Sequence, residues 1–321
     1  MIERVLWLSG AGVAVFVLGI AVYACVSFAL MRSYVKARPF PISLRSLWRE
    51  IFVSLVTQPF LPLYYLVGRR MTPRSLRKPT GGFVSPVPVV FVHGYMQNRV
   101  GFLGLARALA GRRIGPLYGI NYPWFATIAS NAERLERFID DVCRETGSSA
   151  VDLVCHSMGG LVAMETVRAE ASDETKALKV RRCVTIATPH GGVMWRGPLL
   201  GAGATNLRRG SKLLEAQAGY ALKLPMLSIF SDHDNIVFPQ ETASLAKRGG
   251  RDVVVEGLSH LAILFAPDVA DHVASFLLES EDCAPAPVIV PEPVEAAAAA
   301  ADAARSREER HRPTAEVARA K

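Results

Sequence analysis

The chain has 321 residues, half of them hydrophobic, and carries a net charge of +8 with an isoelectric point near 9.4. That length suits one large domain with appendages. A basic balance fits nucleic acid, an anionic membrane surface or plain solubility. No nucleic-acid motif and no basic-aromatic stripe occur, so we expect no nucleic-acid partner; beside an apolar N-terminus the membrane is the better reading. The five cysteines, Cys25, Cys143, Cys155, Cys183 and Cys283, are odd in number and lack metal-ligand spacing. They read as neither a disulfide framework nor a metal site. Cys155 and Cys183 lie in apolar runs, as buried thiols do.

Residues 1–34 open the chain with Val5 to Met31, 27 residues without a charge. That run can cross a bilayer with some tilt. It is too long for a typical signal-peptide core, and no small-x-small cleavage site ends it. A retained transmembrane anchor is expected. Residues 35–85 form a basic juxtamembrane region around a second apolar segment, 51–68, with Pro59 and Pro62 inside it. This segment is either a kinked membrane or interfacial segment or an apolar helix packed on the globular domain. Arg32, Lys36, Arg38, Arg45 and Arg49 follow the first segment, so the positive-inside rule favours the cytoplasm after Met31. Two spans would leave one basic stretch on the other side, so the membrane face stays open.

From 86 to 280 short apolar runs alternate with helical stretches. The runs are VPVVFV, GPLYGINY, AVDLVC, RCVTIAT, MLSIF and DVVVE. They are nearly continuous rather than alternating, as strands buried on both faces are. Between them ATIASNAERLERFIDDVCRET places Ile128, Leu135, Phe138, Ile139 and Val142 on one helical face. Strand-helix repetition predicts an α/β, mostly parallel, doubly wound sheet. The insertion at about 193–225, with Trp195, Leu199, Leu200, Leu207, Leu213 and Leu214, is apolar enough for a lid or pocket wall; a packed helix pair is the plainer alternative. Residues 281–321 are rich in Pro, Ala and charge and are expected to be a disordered tail.

The chemistry starts at VDLVCHSMGGLVA, Val151 to Ala163. A buried strand runs into His156-Ser157-Met158-Gly159-Gly160, and a helical pattern follows. A sharp strand-to-helix turn of this kind thrusts its central side chain above the sheet. The flanking residues two before and two after must be small. Gly159 meets this; Cys155 is a departure from glycine. A serine hydroxyl needs a base and an orienting acid. His156 is poorly placed, because adjacent side chains on a tight turn point apart. Two polar loops leave later strands: one offers Asp232 and Asp234, the next His260. Open α/β sheets build their sites from such loops. After the first core strand stands His93-Gly94-Tyr95, where a backbone N–H can face the serine and, with that of Met158, form an oxyanion hole. His93 reads as a brace of that loop.

FVHGY, VCHSMGGLV, IATPHGG, SIFSDHDNIV and EGLSHLAIL together resemble the bacterial lipase/esterase branch of the α/β-hydrolases, from about Pro88 to Leu278. The resemblance implies an α/β-hydrolase fold, Ser157 as nucleophile, His260 as base, and Asp234 rather than Asp232 as the acid. Tyr95 and Met158 match its backbone oxyanion donors, and His190 is structural. It implies no cofactor and no metal. The expected activity is a membrane-anchored serine esterase or lipase acting on acyl or lipid esters through an acyl-enzyme. The place is a membrane, of bacterial inner-membrane type. A thioesterase or acyltransferase would use the same triad, and a catalytically silent interaction protein would keep only the fold. The sequence gives no oligomeric state.

Overall fold

The computed structural model describes residues 2–35, 39–59, 68–78, 80–172, 179–195 and 201–279. The tail at 281–321, with Cys283, lies outside them, as do Leu199 and Leu200.

Strands β1 (Val89–Val92), β2 (Leu117–Gly119), β3 (Val151–His156), β4 (Val180–Ile186), β5 (Met226–Ser231) and β6 (Arg251–Val255) coincide with the six apolar runs. They form one sheet in the order β2-β1-β3-β4-β5-β6, every neighbouring pair parallel. Alternate side chains of one strand enter different cores. Val90 and Val92 join one cluster, Val89 and Phe91 the other. That is why the runs are continuously apolar. Helices α4 (Ile128–Thr146) and α5 (Met158–Ser172) cover the first face with Leu135, Ile139, Leu161 and Val162. Helices α3 (Leu103–Gly111) and α7 (Pro267–Leu278) cover the second with Leu105, Leu109, Val269 and Val273. Helix α4 starts where the Thr127 side chain accepts the Ser130 N–H and ends at Gly147, φ +72°.

The chain winds from β1 outward to β2, then crosses to place β3 on the other side of β1. This reversal opens a crevice at the C-terminal ends of β1 and β3, where such sheets bind ligands. Among its described residues the insertion forms a 3-10 turn at Ala204–Leu207 and one short α-helix, α6 (Lys212–Ala218). Leu207 and Leu214 are buried in the first core, and Trp195 and Leu213 pack on it. The Ala202 N–H donates to the Phe125 carbonyl at 2.8 Å, so the insertion lines the loop after β2.

Two N-terminal helices lean on this domain. Helix α1 (Ile2–Tyr34) includes Ala11–Tyr34, with a mean hydropathy of 2.5, the one described segment long and apolar enough to cross a bilayer. Val13, Val17, Leu18 and Val22 are exposed. Ala24, Ser27, Phe28 and Met31 are buried, Phe28 and Met31 against Phe238 of the loop after β5. Helix α2 (Phe40–Thr57) turns back beside α1: Arg32 donates to Ser43 at 2.9 Å, and Leu47 packs with Phe28 and Met31. The apolar segment 51–68 is thus not one element. Its first seven residues complete a helix that starts at Phe40, and 60–67 lie outside the described residues. The inward side of α2 is mostly polar, with Ser43, Ser46, Glu50 and Ser54 buried around Leu47, while its exposed side carries Leu44, Trp48, Phe52 and Val56.

Candidate active site

Ser157 follows β3 at the crevice and precedes α5 with φ +54°. A side chain in the left-handed region is strained, and the surroundings must impose it. They do so through close backbone approach. A Cβ on Gly159 would stand 2.2 Å from the Val92 carbonyl oxygen and 2.7 Å from that of His93. One on Gly160 would meet Thr188 Oγ1 at 2.2 Å. The Ser157 N–H donates to the Ile186 carbonyl at 2.9 Å, tying the turn to β4. Cys155 does not disturb the turn. Its side chain points into the first core, beside Cys183.

The structure brings Ser157, His260 and Asp234 together. Ser157 Oγ lies 3.0 Å from His260 Nε2, and His260 Nδ1 lies 2.9 Å from Asp234 Oδ2. All three are buried, Ser157 being 9% exposed, so a hydroxyl remains reachable while the pair behind it is dry. Asp234 is fixed by the N–H groups of Ile236 and Val237, both donating to Oδ1 at 2.8 Å. Asp232 Oδ1 accepts the Gly257 N–H at 2.8 Å and joins the two loops. Burial alone pushes the His260 pKa down. The charge of Asp234, its hydrogen bond and the charge of Glu50 outweigh burial and hold the pKa above its ordinary value.

The loop after β1 lies directly on this turn. A Cβ on Gly94 would approach Ser157 Cβ to 2.9 Å, which brings the backbone before Tyr95 against the serine. The Met158 N–H belongs to the first turn of α5, whose N–H groups have no partner within the helix. The Gly94 backbone and the start of α5 thus border the serine. His93 is a brace. Its Nε2 accepts the Tyr122 N–H at 3.3 Å, its ring stacks on Tyr122 at 4.1 Å, and the Tyr122 hydroxyl donates to its carbonyl. Burial lowers its pKa to about 4, so it stays a neutral acceptor. His190 is likewise buried, with Nε2 3.1 Å from Thr185 Oγ1 and a pKa lowered to about 3. Aromatic side chains gather beside the crevice: Tyr95 meets Trp124 edge-on at 5.1 Å, and Trp124 meets the exposed Phe125.

Sequence reasoning missed the supports of His260. His156 Nε2 donates to the His260 carbonyl at 3.0 Å, and its Nδ1 lies 2.9 Å from the Gln97 side-chain amide. The His260 N–H donates to Asn235 Oδ1 at 3.0 Å, and Asn235 Nδ2 donates to Ser27 Oγ of α1 at 2.8 Å. The next N–H, of Leu261, donates to Glu50 Oε2 of α2 at 3.1 Å. Asn235 stood next to the acid in SDHDNIV and could have been weighed; nothing local marks Ser27 or Glu50.

A parallel sheet with this serine turn at its switch point defines a hydrolase-type architecture. Residues 89–318 match the model of the alpha/beta hydrolase family, and the chain belongs to that family. Among solved structures, it is similar to lipase B of Aspergillus fumigatus, with 18% identity and a TM-score of 0.53, covering 68% of this chain and 59% of that one. The chain thus spans about three fifths of that lipase. It is also similar to the mature lipase BlEst2 of Bacillus licheniformis, with 16% identity and a TM-score of 0.52, covering 61% of this chain and 93% of that one. At these identities the likeness is one of fold.

Proposed function

We propose that the chain is a membrane-anchored serine hydrolase that cleaves carboxylic esters with acyl or lipid-like chains. The observation that carries this reading is the run of contacts from Ser157 Oγ through His260 to Asp234, 3.0 and 2.9 Å, on a strained turn. His260 Nε2 takes the Ser157 proton as Oγ attacks the ester carbonyl. Asp234 holds the imidazole tautomer and stabilises the imidazolium. The Tyr95 and Met158 N–H groups receive the oxyanion. The alcohol leaves with the proton from His260, and water activated by the same histidine frees the acyl group. The aromatic cluster of Tyr95, Trp124 and Phe125, which starts on the loop after β1, favours an apolar acyl chain. Helix α1 supplies the anchor.

The test is turnover of short and long acyl esters by the detergent-solubilised full chain. Ser157→Ala is expected to lose ester turnover by about 10⁴-fold or more. An alanine variant that keeps turnover overturns the reading. Thioesters run in parallel decide between an esterase and a thioesterase using the same three residues.

A further inference from the structure

Helix α2 is built inside out. Leu44, Trp48, Phe52 and Val56 recur every fourth residue and form one outward stripe, 39%, 62%, 67% and 48% exposed. The opposite side, Ser43, Ser46, Glu50 and Ser54, is buried against the protein. A helix facing water carries the reverse pattern. Arg45 and Arg49 are exposed on the same outward side. We propose that the outer face of α2 lies in the headgroup–acyl boundary of an anionic bilayer. Three features favour lipid over a protein partner. The neighbouring helix α1, beside which α2 turns back, itself exposes Val13, Val17, Leu18 and Val22. Trp48 is the side chain enriched at membrane interfaces. Arg45 and Arg49 can lay their stems along the stripe and reach lipid phosphates. The helix thereby seats the crevice at the surface where lipid esters are found.

The experiment places the full chain in vesicles of zwitterionic and anionic lipid whose acyl chains are brominated near the headgroup. Tryptophan emission is compared with that of Trp48→Phe and Trp7→Phe, and the differences isolate Trp48 and the α1 residue Trp7. The expected result is that the Trp48 contribution is largely quenched by the brominated lipid and little by aqueous iodide. Quenching of Trp48 by iodide instead overturns the proposal. So does protection from both quenchers, which would put a protein, such as a second copy, on this face. Trp7 reads the anchor separately, so failure of anchoring is distinguished from failure of α2 docking.

The hydrogen bonds on the inner side carry a second inference, which rests on the proposed triad. We infer that Glu50 is a positioning residue for His260. Glu50 is fully buried and holds the Leu261 N–H, while the Ser27–Asn235 pair holds the His260 N–H. Two consecutive backbone groups of the histidine loop are thus fixed from α2 and α1. A small displacement of a base costs about 10²-fold in rate. The test is the rate of fluorophosphonate reaction at Ser157 in Glu50→Gln and Glu50→Asp. Glutamine keeps an acceptor at the same reach, while aspartate withdraws it by one methylene. The expected result is a near-normal rate for Gln and a loss of about tenfold or more for Asp, with melting temperatures alike. Equal rates in Asp and the unaltered chain overturn the role of Glu50 alone. An unaltered chain that takes no label overturns the triad with it.

Discussion

Asp234→Asn is expected to lower ester turnover by about 10³–10⁴-fold while leaving the chain folded. The carboxylate does two things that an amide cannot. In the proposed mechanism it accepts the His260 Nδ1–H, across the 2.9 Å contact, so that Nε2 is left as the acceptor facing Ser157, and it stabilises the imidazolium once the proton has moved. The pH dependence gives a second readout. His260 acts as a base only when neutral, and its pKa stands above the ordinary 6.5 because Asp234 and Glu50 outweigh burial. Turnover is therefore full at alkaline pH and falls as pH drops through a midpoint above that value. Removing the Asp234 charge takes away the strongest opposition to burial, and Glu50, whose own carboxyl burial pushes up, opposes it only in part, so the midpoint moves to lower pH. A profile of kcat/KM against pH for both chains checks this; an unshifted midpoint in Asp234→Asn would contradict it.

Gly159→Ala is expected to cost about 4 kcal/mol or more of stability, a large share of what holds a domain together. The added Cβ would stand 2.2 and 2.7 Å from two backbone carbonyl oxygens, and backbone cannot swing aside as a side chain can. Relief requires moving β1 away from the start of α5, at the centre of the sheet. Gly101→Ala is the control, since its Cβ meets nothing within 4 Å, and its cost stays within about 0.5 kcal/mol. Melting temperatures of the two variants in one detergent make the comparison. A stable Gly159→Ala chain would mean the turn is looser than described.

The sheet was legible because each strand is buried on both faces, and a run such as Val151 to Cys155 announces that directly. That Ser157, Asp234 and His260 meet was legible for a related reason: each stands where a parallel strand ends, so strand positions alone place these candidates at one edge of the sheet. Cys155 departs from the usual glycine without altering the turn, because its side chain leaves on the core side. The N-terminal helices were less legible. Arg45, Arg49 and Glu50 interrupt hydropathy, so the apolar segment reads as starting at Ile51, although the four-residue spacing from Leu44 runs through Glu50 unbroken. The role of Glu50 depends on a partner 211 residues away, and that pairing is set by packing rather than by local pattern.

The central claim is that Ser157 is an activated nucleophile. The most direct measurement is reaction of the folded, detergent-solubilised full chain with a fluorophosphonate, the adduct then being mapped by mass spectrometry. The account predicts a single adduct, on Ser157, absent in Ser157→Ala and formed far more slowly in His260→Ala. No adduct on folded protein, or one on another residue, would contradict it.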